Sequence, residues 1–496
     1  MFIKDLRIIS LLEKYKPIYS LKYLLMLSNW DIETYMPKYS IESRGKVTAT
    51  MESLIQRMSL DNEFEIDVKS INPDDSKLTD SERMIVKRLQ HSLNKYKKLP
   101  RSFVEEYANL TSTASTIWSK AKLDNDLALF LPYLSKIFNA TRKMADFLEY
   151  ENHPYEALIE DYEPEMSITD YDEYFKELKK TLSLFDFSKS NNLKDLPTEY
   201  STDQLKDICR NILLFFKADN NFLRLDESSH PFTNSLGIND IRLTTNYNKN
   251  SPFNAIYSTI HEFGHGLFGH QTIDELEFTP LYNDISYAVH ESQSRFWENM
   301  IGKNESFLDW LRPHINKLGD GYEDLTTYDI EGVVNYVKPS LIRIEADELT
   351  YHYHILIRYE IEKALLDGSI KINEAKEFWD SKYYSYLGIK PSKDSEGILQ
   401  DIHWSMGYIG YFPSYSFGTT LSSSIKNKME DNIGNIDDIL HKTDGIDKIQ
   451  LWLKENIHRY GGTYTYKDIS LKLGNKKINI KPWTDYAKTK FSKLLI

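Results

Sequence analysis

The sequence has one cysteine, Cys209, in 496 residues. A lone cysteine forms no disulfide within its chain, so nothing points to an oxidising compartment. It lies in Lys206-Asp-Ile-Cys-Arg-Asn-Ile-Leu, away from any nucleophile signature, and reads as a half-buried helix residue. No stretch is apolar for long enough to span a bilayer. The opening Met1-Phe-Ile-Lys-Asp-Leu-Arg is broken by charge at once and lacks the apolar core of a secretory signal. The expectation is a cytoplasmic protein. Positive charge is also short: 61 Lys and Arg face 74 Asp and Glu, a formal net charge of −13. That balance argues against nucleic acid or an anionic membrane as a partner.

What is present is an ordinary globular balance, 41% apolar and 27% charged, enough for a sizeable core. Most of the first 220 residues read as helix. Leu134, Ile137, Phe138, Thr141, Met144 and Leu148 recur at helical spacing between Lys136, Arg142, Lys143 and Asp146. Two polar stretches, Asp61 to Ser81 and about Ser188 to Thr202, read as surface loops. From Ser228 to Asn250 the residues Gly237, Ile238, Ile241, Leu243, Thr244, Thr245 and Tyr247 predict one or two strands of a small sheet. Helical periodicity resumes at Pro252 and runs to about Gly397. Ile446, Ile449, Leu453 and Ile457 form a last apolar stripe, stopped by Gly461-Gly462. With no repeat and no long linker, the expected fold is mainly α: one large helical unit with a small β-sheet. Its divisions would be a helical lobe over 1–227, a central region over 228–425 and terminal helices over 426–496.

Within that central region stands His261-Glu-Phe-Gly-His265. Histidines four apart on a helix share a face, one turn from each other, and can hold one metal ion. Glu262 lies about 100° round the helix, where its carboxylate can reach a water without ligating the metal. Ser251-Pro252 suits a helix start, with Ser as cap and Pro at the first position. Gly264 and Gly266 each cost about 1 kcal/mol of helix propensity, which makes sense if something packs closely there. A catalytic zinc needs a third protein ligand and an open fourth position. Glu291, in Val289-His-Glu-Ser-Gln-Ser-Arg-Phe-Trp-Glu, is best placed, with His290 and Glu298 as rivals. His270, His352, His354, His441 and His458 lack such context and read as packing or surface residues.

The metal motif is one of six signatures that occur in order: His230-Pro-Phe, Asp240-Ile-Arg-Leu-Thr, His261-Glu-Phe-Gly-His, His290-Glu-Ser-Gln, Ile342-Arg-Ile-Glu-Ala-Asp and Gly397-Ile-Leu-Gln-Asp-Ile-His-Trp. Similar stretches extend to Trp30-Asp-Ile-Glu-Thr-Tyr-Met-Pro, His153-Pro-Tyr-Glu-Ala-Leu and Glu455-Asn-Ile-His-Arg-Tyr-Gly. In these the chain resembles the carboxypeptidase Taq family of metallocarboxypeptidases over nearly its whole length. Gly266-Leu-Phe-Gly-His departs from the family's usual continuation, while every ligand position is kept. The resemblance adds weight to Glu291 as third ligand. It implies a mostly helical fold with a deep groove between two lobes, and a homodimer. It also implies zinc, with cobalt or manganese as substitutes, and removal of single residues from peptides with a free C-terminus.

On this reading Glu262 is the general base. His403 resembles the donor to the oxyanion, with Tyr411 or Tyr415 as further donors. A free carboxylate calls for an arginine fork. Arg343 is the first choice, Arg242 and Arg295 the alternatives, and a structural ion pair with Glu345 or Asp347 the competing role for Arg343. His230 either contacts substrate or caps a turn before Pro231. The strand-like stretch Gly237 to Tyr247 either takes the peptide as an added strand or simply belongs to the sheet. A zinc oligoendopeptidase, a dipeptidyl carboxypeptidase and a non-catalytic scaffold with a structural zinc are the rival readings.

Overall fold

The apolar spacing that predicts helix is matched by burial of the apolar positions. In Leu127–Leu148, Leu134, Ile137, Phe138 and Thr141 point inward, and Asp126 caps the start by accepting from Leu129 N. The computed structural model describes residues 2–187, 189, 196–247, 251–283, 286–475 and 478–495. Helix dominates, with one three-stranded sheet. The chain forms two compact units, each drawn from three separate stretches.

The first unit takes Met1–Tyr96, Lys194–Val334 and Ser422–Gly474. Its N-terminal helix, Leu6–Thr34, buries Ile8, Leu11, Tyr15 and Ile18 in a core shared with Phe64, Val68, Ile85, Leu89 and Leu281. Phe64 and Val68 correct the first expected loop, because Asn62–Ser70 is a helix. Asp61 starts it, its carboxylate accepting from Glu63 N and Phe64 N, so a polar stretch hides a capped helix with two inward residues. Of the second expected loop, residues 188 and 190–195 lie outside the described residues, and 196–201 carry no helix or strand.

Two strands, β2 (Thr233–Gly237) and β3 (Asp240–Thr245), stand in the stretch expected to hold one or two, and a further strand, β1 (Leu223–Glu227), precedes it. β3 is central, parallel to β1 and antiparallel to β2. Ile241 and Leu243 are fully buried on the face that meets the motif helix, Pro252–Gln271. Ser251 is the cap residue in extended conformation, without a side-chain bond, and Pro252 opens the helix.

The second unit takes Lys97–Leu193, Asn335–Leu421 and Asn475–Ile496. Helices Arg101–Asp124 and Leu127–Leu148 pair through a turn at Asn125, in the left-handed region at φ 54°. The helix Tyr351–Asp367 is buried nearly all round, His352, His354, Arg358 and Glu362 included. The expected helical run to Gly397 is interrupted: between Val334 and Tyr351 the chain is irregular except for one turn at Arg343–Glu345. Pro339 removes a backbone donor there, and Asp347 gathers Lys338 N, Leu349 N and Thr350 N onto its carboxylate.

Candidate metal centre and active site

The motif helix presents His261 and His265 on one face, and the helix Tyr287–Arg295 brings Glu291 against them. Glu291 Oε2 lies 3.7 Å from His261 Nε2 and 3.6 Å from His265 Nε2. These three residues are the metal-ligating group found among the described residues. Four bonds of about 2.0–2.1 Å in a tetrahedron set ligand atoms roughly 3.3–3.5 Å apart, so the set fits a small divalent cation with one position left for water.

Close approach of the two helices depends on Gly264. A Cβ there would stand 2.6 Å from Gln293 O and Ser294 Cα, which is backbone of the helix carrying Glu291. At Gly266 a Cβ would meet Ile241 Cγ2 at 2.7 Å and Leu243 Cδ2 at 3.0 Å on the sheet. Both glycines therefore have the close-packing role their helix cost suggested.

The rivals for third ligand stand behind the histidines. His261 Nδ1 donates to Glu298 Oε2 at 2.8 Å, which leaves Nε2 with its lone pair free for a metal. His265 Nδ1 contacts His290 Nδ1 closely. With His265 Nε2 toward a metal, its Nδ1–H donates to His290. Arg295 ties the carboxylates together, donating from Nε to Glu291 Oε1 at 2.7 Å and from Nη1 to Glu298 Oε2 at 3.0 Å. Burial would raise the pKa of both carboxyls, but Arg295 and His261 reverse it, lowering Glu291 well below the carboxylate range and Glu298 to about 2. Burial lowers the pKa of His261 less than the Glu291 and Glu298 charges raise it, so the net direction is upward. His290 is driven well down by burial and by its neighbour His265.

Glu262 is buried and accepts from Thr233 Oγ1 on β2 at 2.6 Å. Thr233 was not foreseen; 29 positions separate it from Glu262 and no local pattern joins them. Arg242, by its register on β3 beside Leu243, projects from the other sheet face, ion-paired with Asp240 at 2.8 Å and stacked on Trp30 at 4.4 Å. His230 is exposed between β1 and β2, and its carbonyl accepts from Ser228 Oγ. β3 is paired on both sides, so within Gly237–Tyr247 this strand has no edge for a peptide. β2, beside Glu262, is an edge strand.

In the second unit, Arg343 and His403 lie beside Asp401, and Tyr411 and Tyr415 pack against His403. Arg343 Nε donates to Asp401 Oδ1 at 2.9 Å, and Nη1 to Tyr351 Oη at 3.1 Å. Its ion pair is thus with Asp401, not with Glu345 or Asp347. Arg358 Nε donates to Asp401 Oδ2 at 2.7 Å, so two guanidinium groups share one carboxylate. Burial opposes ionisation of Asp401, but the two arginines overcome it and hold it strongly acidic. Tyr415 Oη lies 3.3 Å from His403 Nε2, and Tyr411 packs on Tyr415 with ring centres 5.1 Å apart. Burial, then the charge of Arg343, lowers His403 to about 3.

A motif helix supplying two histidines, a neighbouring helix supplying a carboxylate and a glutamate beside them define a metal-dependent hydrolase. Residues 10–491 match the family described as carboxypeptidase Taq (M32) metallopeptidase, and the chain belongs to that family. It is 34% identical to thermostable carboxypeptidase 1 of Pyrococcus furiosus, over 97% of this chain and 98% of that one. It is also 34% identical to carboxypeptidase 1 of Bacillus subtilis, over 95% of each. The solved apo-Mg structure of Pyrococcus furiosus carboxypeptidase superposes with a TM-score of 0.95 at 34% identity, covering 99% of this chain and 100% of that one. The M32 carboxypeptidase of Deinococcus radiodurans gives 0.92 at 26% identity, covering 99% of each chain. The protein is accordingly a metallocarboxypeptidase, and the mainly α fold with a small sheet is borne out.

Proposed function

We propose that this metallocarboxypeptidase uses zinc, on His261, His265 and Glu291, to release single C-terminal residues from peptides of varied sequence. The observation that carries the reading is the convergence of those three ligand atoms with Glu262 adjacent on the same helix. Two nitrogens and one carboxylate oxygen suit zinc, and cobalt or manganese could replace it. Zinc there supplies Lewis acidity toward the scissile carbonyl and lowers the pKa of water.

The chain's own groups do the rest. Glu262 takes the proton of the attacking water and delivers it to the leaving amine. Thr233 Oγ1 holds Glu262 Oε2, fixing the rotamer and leaving Oε1 for that exchange. His403 stays neutral at working pH because burial and Arg343 depress it, so it acts toward the oxyanion as an N–H donor without a charge of its own. Tyr415, with Tyr411 packed on it, offers a second hydroxyl donor. Arg343 reads the terminal carboxylate. Two arginines on one Asp401 leave a buried excess of positive charge, which an incoming carboxylate complements. The edge of β2 beside Glu262 suits a peptide bound as an added strand. Arg242 and His230 are further substrate contacts on this reading. A chain whose single cysteine is buried suits a reducing cytoplasm, where we place it, and the family resemblance supports a homodimer.

The test is mass spectrometry of a mixed-sequence peptide, offered as free acid and as C-terminal amide, with and without added zinc. Zinc-dependent loss of single residues from the acid alone is expected. Loss of dipeptides, or internal cuts in both forms, would move the protein to a dipeptidyl carboxypeptidase or an oligoendopeptidase. No cleavage with zinc, cobalt or manganese would overturn the reading.

A further inference from the structure

Glu362 is fully buried on the helix Tyr351–Asp367, one turn after Arg358. A buried carboxylate that hydrogen-bonds to no cation is costly to keep in a core, and its partners show what it holds. Trp404 Nε1 donates to Oε1 at 2.7 Å, while Tyr155 Oη and Gly410 N donate to Oε2 at 3.0 and 3.1 Å. Two of these three donors belong to residues 403–415, the stretch that carries His403, Tyr411 and Tyr415.

That stretch has little regular structure of its own. It makes one short turn at His403–Met406, then runs irregularly through Gly407 and Gly410, at φ 79° and 94°, to a helix starting at Pro413. At its far end a second buried carboxylate, Glu163, accepts from Ser414 Oγ at 2.6 Å. The stretch is therefore pinned from within at Trp404, Gly410 and Ser414, between and beside His403, Tyr411 and Tyr415.

We propose that Glu362 is a positioning residue for this peptidase: by clamping Trp404 and Gly410 together it sets the placement of His403 and Tyr415 on which their donor role depends. The inference rests on the donor role proposed above for those two side chains. Glutamine in place of Glu362 fills the same space but turns an N–H₂ toward either Trp404 Nε1–H or the Gly410 and Tyr155 donors. One anchor must then open, and displacements near 1 Å at a reacting group cost up to about 10²-fold in rate.

The experiment compares Glu362→Gln with the parent as zinc-loaded enzyme, on a free-acid peptide, reading kcat and KM separately alongside metal content and thermal midpoint. The expected result is a fall in kcat of at least about tenfold, with KM within about twofold and metal content unchanged. Trp404→Phe, which removes the Oε1 donor, is expected to lower kcat in the same way, and the double variant to be no worse than the more damaged single one. If Glu362→Gln does not fold, Trp404→Phe alone carries the test through the same split. A folded Glu362→Gln enzyme with parental kcat, a loss confined to KM, or fully additive losses would overturn the proposal. His403→Ala and Tyr415→Phe separate the two levels. If both keep full kcat, the donor reading falls and this inference with it. If they lose it while Glu362→Gln does not, only the role of Glu362 falls.

Discussion

Replacing Gly264 by alanine tests the packing that brings the third ligand to the histidines. The added Cβ would lie 2.6 Å from Gln293 O and Ser294 Cα, against the 3.4 Å at which ordinary contact begins, so that backbone must retreat by about 0.8 Å. Neither atom belongs to a flexible side-chain end. Overpacking of this kind costs about 1–3 kcal/mol, partly offset by the roughly 1 kcal/mol that alanine gains over glycine in a helix. The larger effect falls on the metal. Glu291 is two residues before Gln293 on the displaced helix, and ligand distances at a metal tolerate only about 0.2 Å. Gly264→Ala is therefore expected to lose at least about tenfold in zinc affinity, read by competition with a chromophoric chelator. Gly266→Ala is the control. Its Cβ meets the side chains of Ile241 and Leu243, so it should lower the thermal midpoint while zinc affinity stays near the parent value. Parental zinc affinity in Gly264→Ala would refute the argument that this contact sets the ligand geometry.

Other outcomes follow from the same geometry. Glu262→Gln should keep its zinc by elemental analysis and lose about 10²–10⁴-fold in kcat; full turnover in the loaded variant would remove it as the base. Glu298→Gln leaves His261 Nδ1 without its charged partner and should weaken zinc binding by about 10–100-fold, which the same competition titration reads. Arg343→Ala should lose the preference for free-acid over amide peptides, and an unchanged preference would assign the carboxylate to another residue. Burial raises Glu362 to about 7 against the pull of its three donors, so the folded chain keeps a proton that the unfolded chain releases near pH 4–5. Its contribution to stability is thus present at the acid end and lost as pH rises toward 7. Glu362→Gln should flatten that part of a urea-unfolding profile measured against pH, and identical slopes would contradict the assignment.

The metal centre was the most legible part of the sequence because its information is local. Spacing gives His261 and His265 one face, Ser251-Pro252 marks the helix start, and two costly glycines announce a close neighbour. Arg295 was also within reach, since it stands one turn after Glu291, where such pairs meet on a helix. It was weighed only as a carboxylate reader, yet it bonds Glu291 and Glu298. Residues whose roles depend on distant partners were not legible. Asp401 lies 58 positions from Arg343, and Glu362 lies 48 from Gly410. The helix Asn62–Ser70 escapes sequence reading for a different reason: its polarity suggests a loop, though Asp61 is a good cap and Phe64 and Val68 share one face. The break before Tyr351 is hidden by the apolar periodicity on either side of it, although Pro339 marks the place.

The interleaving of the two units has a consequence for biosynthesis. Residues 1–96 find their last partners in Ser422–Gly474, and the unit that starts at Lys97 is completed only by Asn475–Ile496. At roughly 5–20 residues per second, a ribosome needs on the order of 20–75 s to travel from the end of the first stretch to the end of its completing one. Through that interval neither core is closed, and the apolar faces of the nascent helices stay open to water and to neighbouring chains. No contiguous fragment contains one unit whole without part of the other. Cutting the protein into independently folding halves would therefore require joining segments that the chain keeps apart.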